Sequence, residues 1–133
     1  MNGIITIQSG FPVKETISRL ISIIESRDMT VFARIDHADN AIKQGLTLRP
    51  TELIIFGNPK AGTLLMQDKQ ISGIDLPLKA LAWEDEQGKS WLSYNDTNWI
   101  AERHALSTKS DPIIKAITET MTAVAFSTTN LES

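Results

Sequence analysis

The sequence predicts an α+β domain, with a single sheet of about five strands and two long helices packed mainly on one face. Five short runs are rich in β-branched and aromatic residues, and two longer segments repeat apolar residues at helical spacing. These strands and helices are mixed in order, without a strict βαβ alternation, which favours an α+β sandwich. With 133 residues and 41% apolar side chains, we expect one domain over residues 1–133, with a polar C-terminal tail from about residue 127.

The first half of the chain contains two strands and two helices by pattern. Residues 4–7 are β-branched and predict a strand, and residues 30–35 alternate between two faces as a second strand. Between them, the apolar side chains of residues 13–24 fall on one face of a helix. Asp36 stands at the N-cap position of a short helix over residues 37–44.

The second half begins with a strand and continues with a hairpin. Residues 53–56 are apolar on both faces, which predicts a central strand that is covered on both sides. The following segment starts a helix that reaches about residue 69. The remaining elements are a hairpin of strands 78–84 and 89–94 around the loop 85–88, a short helix over residues 96–103, and a last helix that begins at Asp111 and Pro112.

Composition excludes several classes of function. The net charge is -3 and no basic stripe is visible, so we expect no nucleic-acid partner. The chain has no cysteine, which excludes a disulfide scaffold, a thiolate metal site and a cysteine nucleophile. We find neither a signal-peptide pattern nor an apolar run of the roughly 18 residues that a membrane helix needs, so we expect a cytoplasmic protein without a membrane partner. Nucleotide-binding and serine-hydrolase motifs are missing, and we expect no cofactor.

The segment FGNPKAGTLLM is the first candidate site. Asn58 as N-cap and Pro59 as first helical residue place a helix start directly after a strand, where free backbone N–H groups attract anions. Lys60 adds a cation, Thr63 adds a hydroxyl and Gly62 gives close access. We expect Asn58, Lys60, Gly62 and Thr63 to bind a small anionic ligand. The alternative is that Asn58 and Pro59 only cap the helix, while Gly62 admits a neighbouring chain segment.

His37 is a second candidate, for catalysis. It lies between Asp36 and Asp39 just after a strand, so a carboxylate could orient its imidazole as a general base or metal ligand. The alternative is an exposed histidine in the first turn of a helix that Asp36 caps. The other histidine, His104, follows Glu102. Neither histidine has the i, i+4 partner of a helical metal site, so we assign no metal-binding residues.

Four aromatic residues form a third group of interest. Trp83 and Trp91 lie on the two hairpin strands, where cross-strand packing is the common role. Together with Tyr94 and Trp99 they could line an apolar pocket or a dimer interface, or in part enter the core.

Four sequence blocks carry a resemblance to a known family. FARIDHADNA, LRPTELIIFGNPKAGTLLMQ, IDLPLKALAWEDEQGKSWLSYND and AERHAL occur in this order over most of the chain, roughly residues 4–126. In these blocks the sequence resembles the domain-of-unknown-function 302 family. The resemblance implies an α+β fold and a homodimer, and it makes the blocks around His37, residues 58–63 and residues 75–85 family hallmarks. It implies no catalytic residue.

These observations favour a homodimeric domain without catalytic activity that binds a small anionic ligand or a partner protein. One alternative is an enzyme that uses His37 as a general base or metal ligand. Another is a dimer with a large apolar interface and no concave site.

Overall fold

The computed structural model describes residues 2–132, and Met1 and Ser133, the ends of the predicted domain, lie outside the described residues. The strands are β1 (Ile4–Ser9), β2 (Thr30–Asp36), β3 (Thr51–Gly57), β4 (Leu78–Glu84) and β5 (Ser90–Asn95). The α-helices are α1 (Val13–Ser26), α2 (His37–Lys43), α3 (Pro59–Asp68), α4 (Thr97–Arg103) and α5 (Asp111–Thr129). Short 3-10 helices cover Gln70–Asp75 and Thr108–Ser110.

The strands form one five-stranded sheet in the order β1-β5-β4-β3-β2. Every neighbouring pair is antiparallel. A bulge interrupts the ladder between β2 and β3 at Val31 and Ala33. The predicted α+β class and single sheet are therefore confirmed, and the first strand of the chain pairs with the last.

The core lies between one face of the sheet and the two long helices, α1 and α5. Helix α1 presents a stripe of buried side chains at helical spacing. Strands β3, β4 and β5 present every second side chain towards it, because successive side chains of a strand point to opposite faces. Burial of each large apolar side chain stabilises the fold by roughly 1.5–3 kcal/mol. The buried set includes Ile17, Leu20, Ile54, Phe56, Ala82, Leu92 and Val124.

The opposite face of the sheet points away from α1 and α5. The sequence predicts a covering on both sides of β3, but Leu53 and Ile55, on the side away from α1, are only half-buried. By the pairing register, apolar neighbours on β2, β4 and β5 extend this surface. We call it the outer sheet face, and it consists of Ile35, Leu53, Ile55, Leu81, Trp83 and Trp91.

Strand alternation also separates the four aromatic residues. Trp83 and Trp91 are direct cross-strand partners on the outer sheet face, and their rings stack with centroids 6.2 Å apart and planes at 25°. Tyr94 is buried in the core, and Trp99 packs against the core from α4. The four residues therefore do not line one common pocket.

The C-terminal segment differs from the prediction. The sequence predicts a polar tail from about residue 127, but α5 continues to Thr129, and Thr128 and Thr129 are buried. The Arg19 guanidinium donates hydrogen bonds to the carbonyls of Thr128 at 3.0 Å and Ser127 at 2.8 Å. The Gly10 N–H donates to the Thr129 carbonyl at 2.8 Å. These partners on distant segments hold a stretch whose composition alone is typical of a frayed end.

Candidate functional site

A cavity of about 620 Å³ lies between α3, α5 and the adjoining ends of β3 and β4. We call it the α3–α5 groove. All four residues that the sequence predicts as ligand-binding, Asn58, Lys60, Gly62 and Thr63, line it. A dimer without a concave site, one of the two alternatives drawn from the sequence, does not fit this geometry.

The walls of the groove are apolar, and their only charged members among the described residues are Arg27 and Lys60. Both cationic side chains are exposed, and neither makes an ion pair within residues 2–132. An apolar surface with two uncompensated cations is complementary to a molecule that has an apolar part and a negative charge. The apolar lining includes Met29, Phe32, Leu65, Met66, Leu76, Leu78, Ile113, Ile117 and Met121.

The first turn of α3 offers the groove no free backbone donor. The side-chain oxygen Oδ1 of Asn58 accepts hydrogen bonds from the N–H groups of Lys60 at 2.9 Å and Ala61 at 3.2 Å. The Gly62 N–H donates to the Asn58 carbonyl at 3.1 Å, and Pro59 has no N–H. The predicted cap is therefore correct, but the expected free N–H groups are already paired. An anion at this helix start would have to be held by side-chain charge.

Gly62 and Thr63 differ in what they offer the groove: the Thr63 hydroxyl is engaged within α3, while open space lies beside Gly62. The Thr63 hydroxyl donates to the Pro59 carbonyl at 2.7 Å, so its hydrogen is used within α3. A Cβ atom added at Gly62 would meet only the Met66 Cε atom, at 4.0 Å. No chain segment within residues 2–132 requires a glycine here, so the space beside Gly62 belongs to the groove.

Asp68, at the end of α3, fixes the opposite wall of the groove. Its Oδ2 atom accepts hydrogen bonds from the Ser110 hydroxyl at 2.7 Å, the Ser107 N–H at 2.8 Å and the Ser107 hydroxyl at 3.0 Å. These bonds tie α3 to the 3-10 helix that leads into α5. Hydrogen bonding to Ser110, and then to Ser107, lowers the pKa of Asp68, because these donors favour the charged carboxylate.

A family model described as "Domain of unknown function DUF302" matches residues 5–124. The chain belongs to the DUF302 family. A crystal structure of an uncharacterized conserved DUF302 protein from Bacillus stearothermophilus superimposes on this DUF302 chain with a TM-score of 0.83 and 16% sequence identity. The match covers 96% of this chain and 98% of that chain, and at this identity it establishes the fold.

Three curated relatives of this DUF302 domain come from Brucella. They are "Fluoride-specific ion channel FluC 1" of Brucella suis and of Brucella abortus, and "Fluoride-specific ion channel FluC 2" of Brucella melitensis. Each is 53% identical over 116 residues, which is 87% of this chain. The match covers 46% of the Brucella suis protein and 43% of the other two, so the chain spans less than half the length of these relatives. No helix within residues 2–132 of the DUF302 chain has both the length and the apolar character needed to cross a membrane.

His37 of the DUF302 domain lies at the first position of α2 and is exposed. The Asp36 carboxylate accepts a hydrogen bond from the Asp39 N–H at 2.9 Å, as an N-cap does, and Asp39 pairs with Lys43 at 3.1 Å. Within residues 2–132, His37 has no carboxylate partner, and it does not line the α3–α5 groove. These contacts match the capping alternative, and the enzyme hypothesis stays a prediction without a supporting contact.

The histidine that meets a carboxylate in the DUF302 chain is His104. Its Nε2 atom lies 2.5 Å from Asp75 Oδ2, and only 6% of its side chain is exposed. The Arg103 Nη1 atom donates to both oxygens of Asp75 at 3.0 Å. The sequence indicates Glu102 as the neighbour of His104 and does not reveal Asp75, because no local spacing connects two residues that lie 29 positions apart. Within the described part of the chain, no three His, Asp or Glu side chains lie together in a way that could hold a metal ion.

Proposed function

We propose that this domain binds a small anionic ligand in the α3–α5 groove and that it does so as a cytoplasmic homodimer. The observation that supports ligand binding is the charge of the groove: Arg27 and Lys60 line it, and no Asp or Glu among the described residues does. A cavity of about 620 Å³ falls within the range that binding sites for small molecules occupy. The lack of cysteine is compatible with a reducing cytoplasm.

The Brucella relatives lend limited support to an anion. Their names describe channels for fluoride, which is an anion, but the matched region is less than half of each protein. Fluoride is also far smaller than a groove of about 620 Å³. A partner protein, such as a separate channel, is a second way in which this domain could act, and it is supported by those names alone.

A thermal-shift experiment tests the proposed site. A ligand that binds only the folded state raises the melting temperature, and the shift grows with the ratio of its free concentration to its Kd. We expect stabilisation by at least one member of a panel of small organic anions, and we expect Lys60→Ala and Arg27→Ala each to reduce it. Lys115→Ala, on the exposed side of α5 and outside the groove, is the control with the same change in charge. Equal ligand-induced shifts in the wild type and the Arg27→Ala, Lys60→Ala double variant would exclude the groove as the site.

The outer sheet face is the surface that we propose for dimerisation. Its six apolar residues are contiguous through the pairing register, with Leu53 opposite both Ile35 and Leu81, and Trp83 opposite Trp91. Contiguous apolar surface of this kind is typical of the centre of homodimer interfaces. It is separate from the α3–α5 groove, so the two proposals can fail independently.

Sedimentation velocity tests the dimer. We expect the wild type to sediment as a dimer at micromolar concentration, and Leu81→Asp to sediment as a monomer, because a charge in the middle of an apolar interface is left without a partner. Ser18→Asp, on the exposed side of α1, introduces the same charge away from the outer sheet face and should leave the dimer intact. A wild-type monomer, or a Leu81→Asp dimer, would contradict this assignment.

A further inference from the structure

The two cations of the α3–α5 groove lie near the same end of the sheet. Thr30 pairs with Gly57 where β2 begins and β3 ends. Arg27 lies three residues before Thr30, and Lys60 lies three residues after Gly57. The groove therefore has a positively charged end beside the β2–β3 ladder, while its remaining wall reaches along α5 through apolar residues.

Among the described residues, the neutral polar side chains of the lining are Asn58, Thr63 and Thr120, and the first two are engaged within α3. Asn58 Oδ1 accepts two N–H groups of α3, and the Thr63 hydroxyl donates to the Pro59 carbonyl. The Asn58 side-chain N–H group and the Thr120 hydroxyl are too few to replace the hydrogen bonds to water that a sugar or another polyhydroxylated ligand would lose here. The lining therefore favours a ligand with a single polar end.

The apolar wall suits a flexible chain better than a ring system. Phe32 is the one aromatic side chain among the described lining residues, so a nucleobase or another aromatic ligand would find no pair of rings between which to stack. Met29, Met66 and Met121 all line the groove. Methionine side chains are unbranched and adapt to irregular apolar shapes, as the binding of an alkyl chain requires.

We infer that the ligand is a monocarboxylate with an unbranched alkyl chain, its carboxylate held by Lys60 and Arg27 and its chain lying along α5. The inference rests on the proposed function and names the class of anion. A second carboxylate at the far end of the chain would lie against apolar wall without a cation, so dicarboxylates are disfavoured. The groove would hold one free molecule, taken up from solution.

Isothermal titration with hexanoate, octanoate and decanoate, each below its micelle-forming concentration, tests this inference. We expect affinity to rise about fourfold for each added methylene, the increment that burial of one CH₂ gives, until the chain fills the groove. Octanol, which has the same chain without the charge, should bind more weakly than octanoate. Lys60→Ala should weaken octanoate binding several-fold and leave octanol binding unchanged.

A variant that fills the groove gives an independent readout. Ala116 is exposed on α5 and lines the groove, so Ala116→Trp should remove the chain-length dependence while the far-UV circular dichroism spectrum stays that of the wild type. Thr122→Trp, exposed on α5 outside the groove, is the matched control and should bind the series as the wild type does.

The outcomes separate this inference from the proposed function. Binding of acetate or phosphate that depends on Lys60 but not on chain length would overturn the alkyl carboxylate and leave anion binding in place. Binding of anionic phospholipid vesicles without binding of the free acids would also overturn it. If Ala116→Trp changes the sedimentation of the protein instead of its ligand binding, the groove is a contact between two copies and the inference fails. No binding of any anion would remove the proposed function itself.

Discussion

Asp75 ends the 3-10 helix Gln70–Asp75 and His104 directly follows α4, yet Asp75 Oδ2 lies 2.5 Å from His104 Nε2. Arg103 donates to the same carboxylate and lies over the ring of Trp99, with 5.5 Å between the guanidinium carbon and the ring centroid. Asp75 directly precedes Leu76 and Pro77, which line the α3–α5 groove. This contact therefore connects α4 to one wall of the groove.

Asp75→Ala should destabilise the fold, because it leaves the buried His104 imidazole without its carboxylate partner. Leaving a buried polar group unpaired costs about 1–3 kcal/mol, and we expect a loss of free energy of unfolding in that range. Urea denaturation measures it. Asp39→Ala breaks an exposed helical ion pair, with 54% of the Asp39 side chain accessible, and should change stability by no more than about 0.5 kcal/mol. Equal losses in the two variants would show that the contact between Asp75 and His104 is not stabilising.

Asp68 should make stability depend on pH in the acid range. Hydrogen bonds from Ser110 and Ser107 lower its pKa from the ordinary value of 3.8, so the folded state binds the proton less readily than the unfolded chain. The contribution of the Asp68 carboxylate to the free energy of unfolding is therefore fully present above about pH 3.8. It is lost as the pH falls through the lower pKa of Asp68 in the folded state. Urea denaturation of wild type and Asp68→Asn between pH 7 and pH 2.5 should give a stability difference that narrows in that window. Glu119→Gln, at an exposed position on α5, serves as the control. A stability difference between wild type and Asp68→Asn that stays constant with pH would contradict the assignment.

Gly62→Ala should stabilise the free protein. Alanine favours a helix over glycine by about 0.8–1 kcal/mol, and a Cβ at Gly62 would meet nothing closer than Met66 Cε at 4.0 Å. Gly3→Ala is the contrasting variant, because its Cβ would lie 2.5 Å from Trp99 Cδ2 and its φ is +79°. Thermal unfolding should therefore shift upwards for Gly62→Ala and downwards for Gly3→Ala. Destabilisation by Gly62→Ala would reveal a partner molecule packed against that glycine.

Asn58 allows capping and charge to be separated at one position. Asn58→Ala removes the acceptor for two N–H groups and should cost about 1 kcal/mol of stability. Asn58→Asp keeps the cap and places a negative charge favourably at a helix start, so stability should be retained. The same charge lies at the cationic end of the groove and should weaken octanoate binding several-fold in isothermal titration. Undiminished binding by Asn58→Asp would place the anion elsewhere.

Local sequence patterns were sufficient to predict the helices and strands and one side of the α3–α5 groove. The apolar spacing of α1, the hairpin of β4 and β5 and the cap formed by Asn58 and Pro59 all depend on contacts within a few residues, and each is confirmed. The same local reasoning placed Lys60, Gly62 and Thr63 at a helix start, where the structure also has them. It did not reveal that the first-turn N–H groups are paired, since that depends on the orientation of the Asn58 side chain.

Tertiary structure alone decided what those residues face. Several features join segments that are far apart in the chain. They are the order of the strands, the presence of Arg27 and Lys60 in one groove, the opposing wall from α5, and the contact between Asp75 and His104. Such pairings are set by which apolar faces cover one another, and periodicity within a single segment carries no information about the partner segment. The burial of Thr128 and Thr129 has the same cause, because Arg19 and Gly10 hold the end of α5 from across the core. The sequence by itself thus determined the helices, the strands and the helix start that holds Lys60, and the packing of α5 against α3 made that helix start one side of a groove.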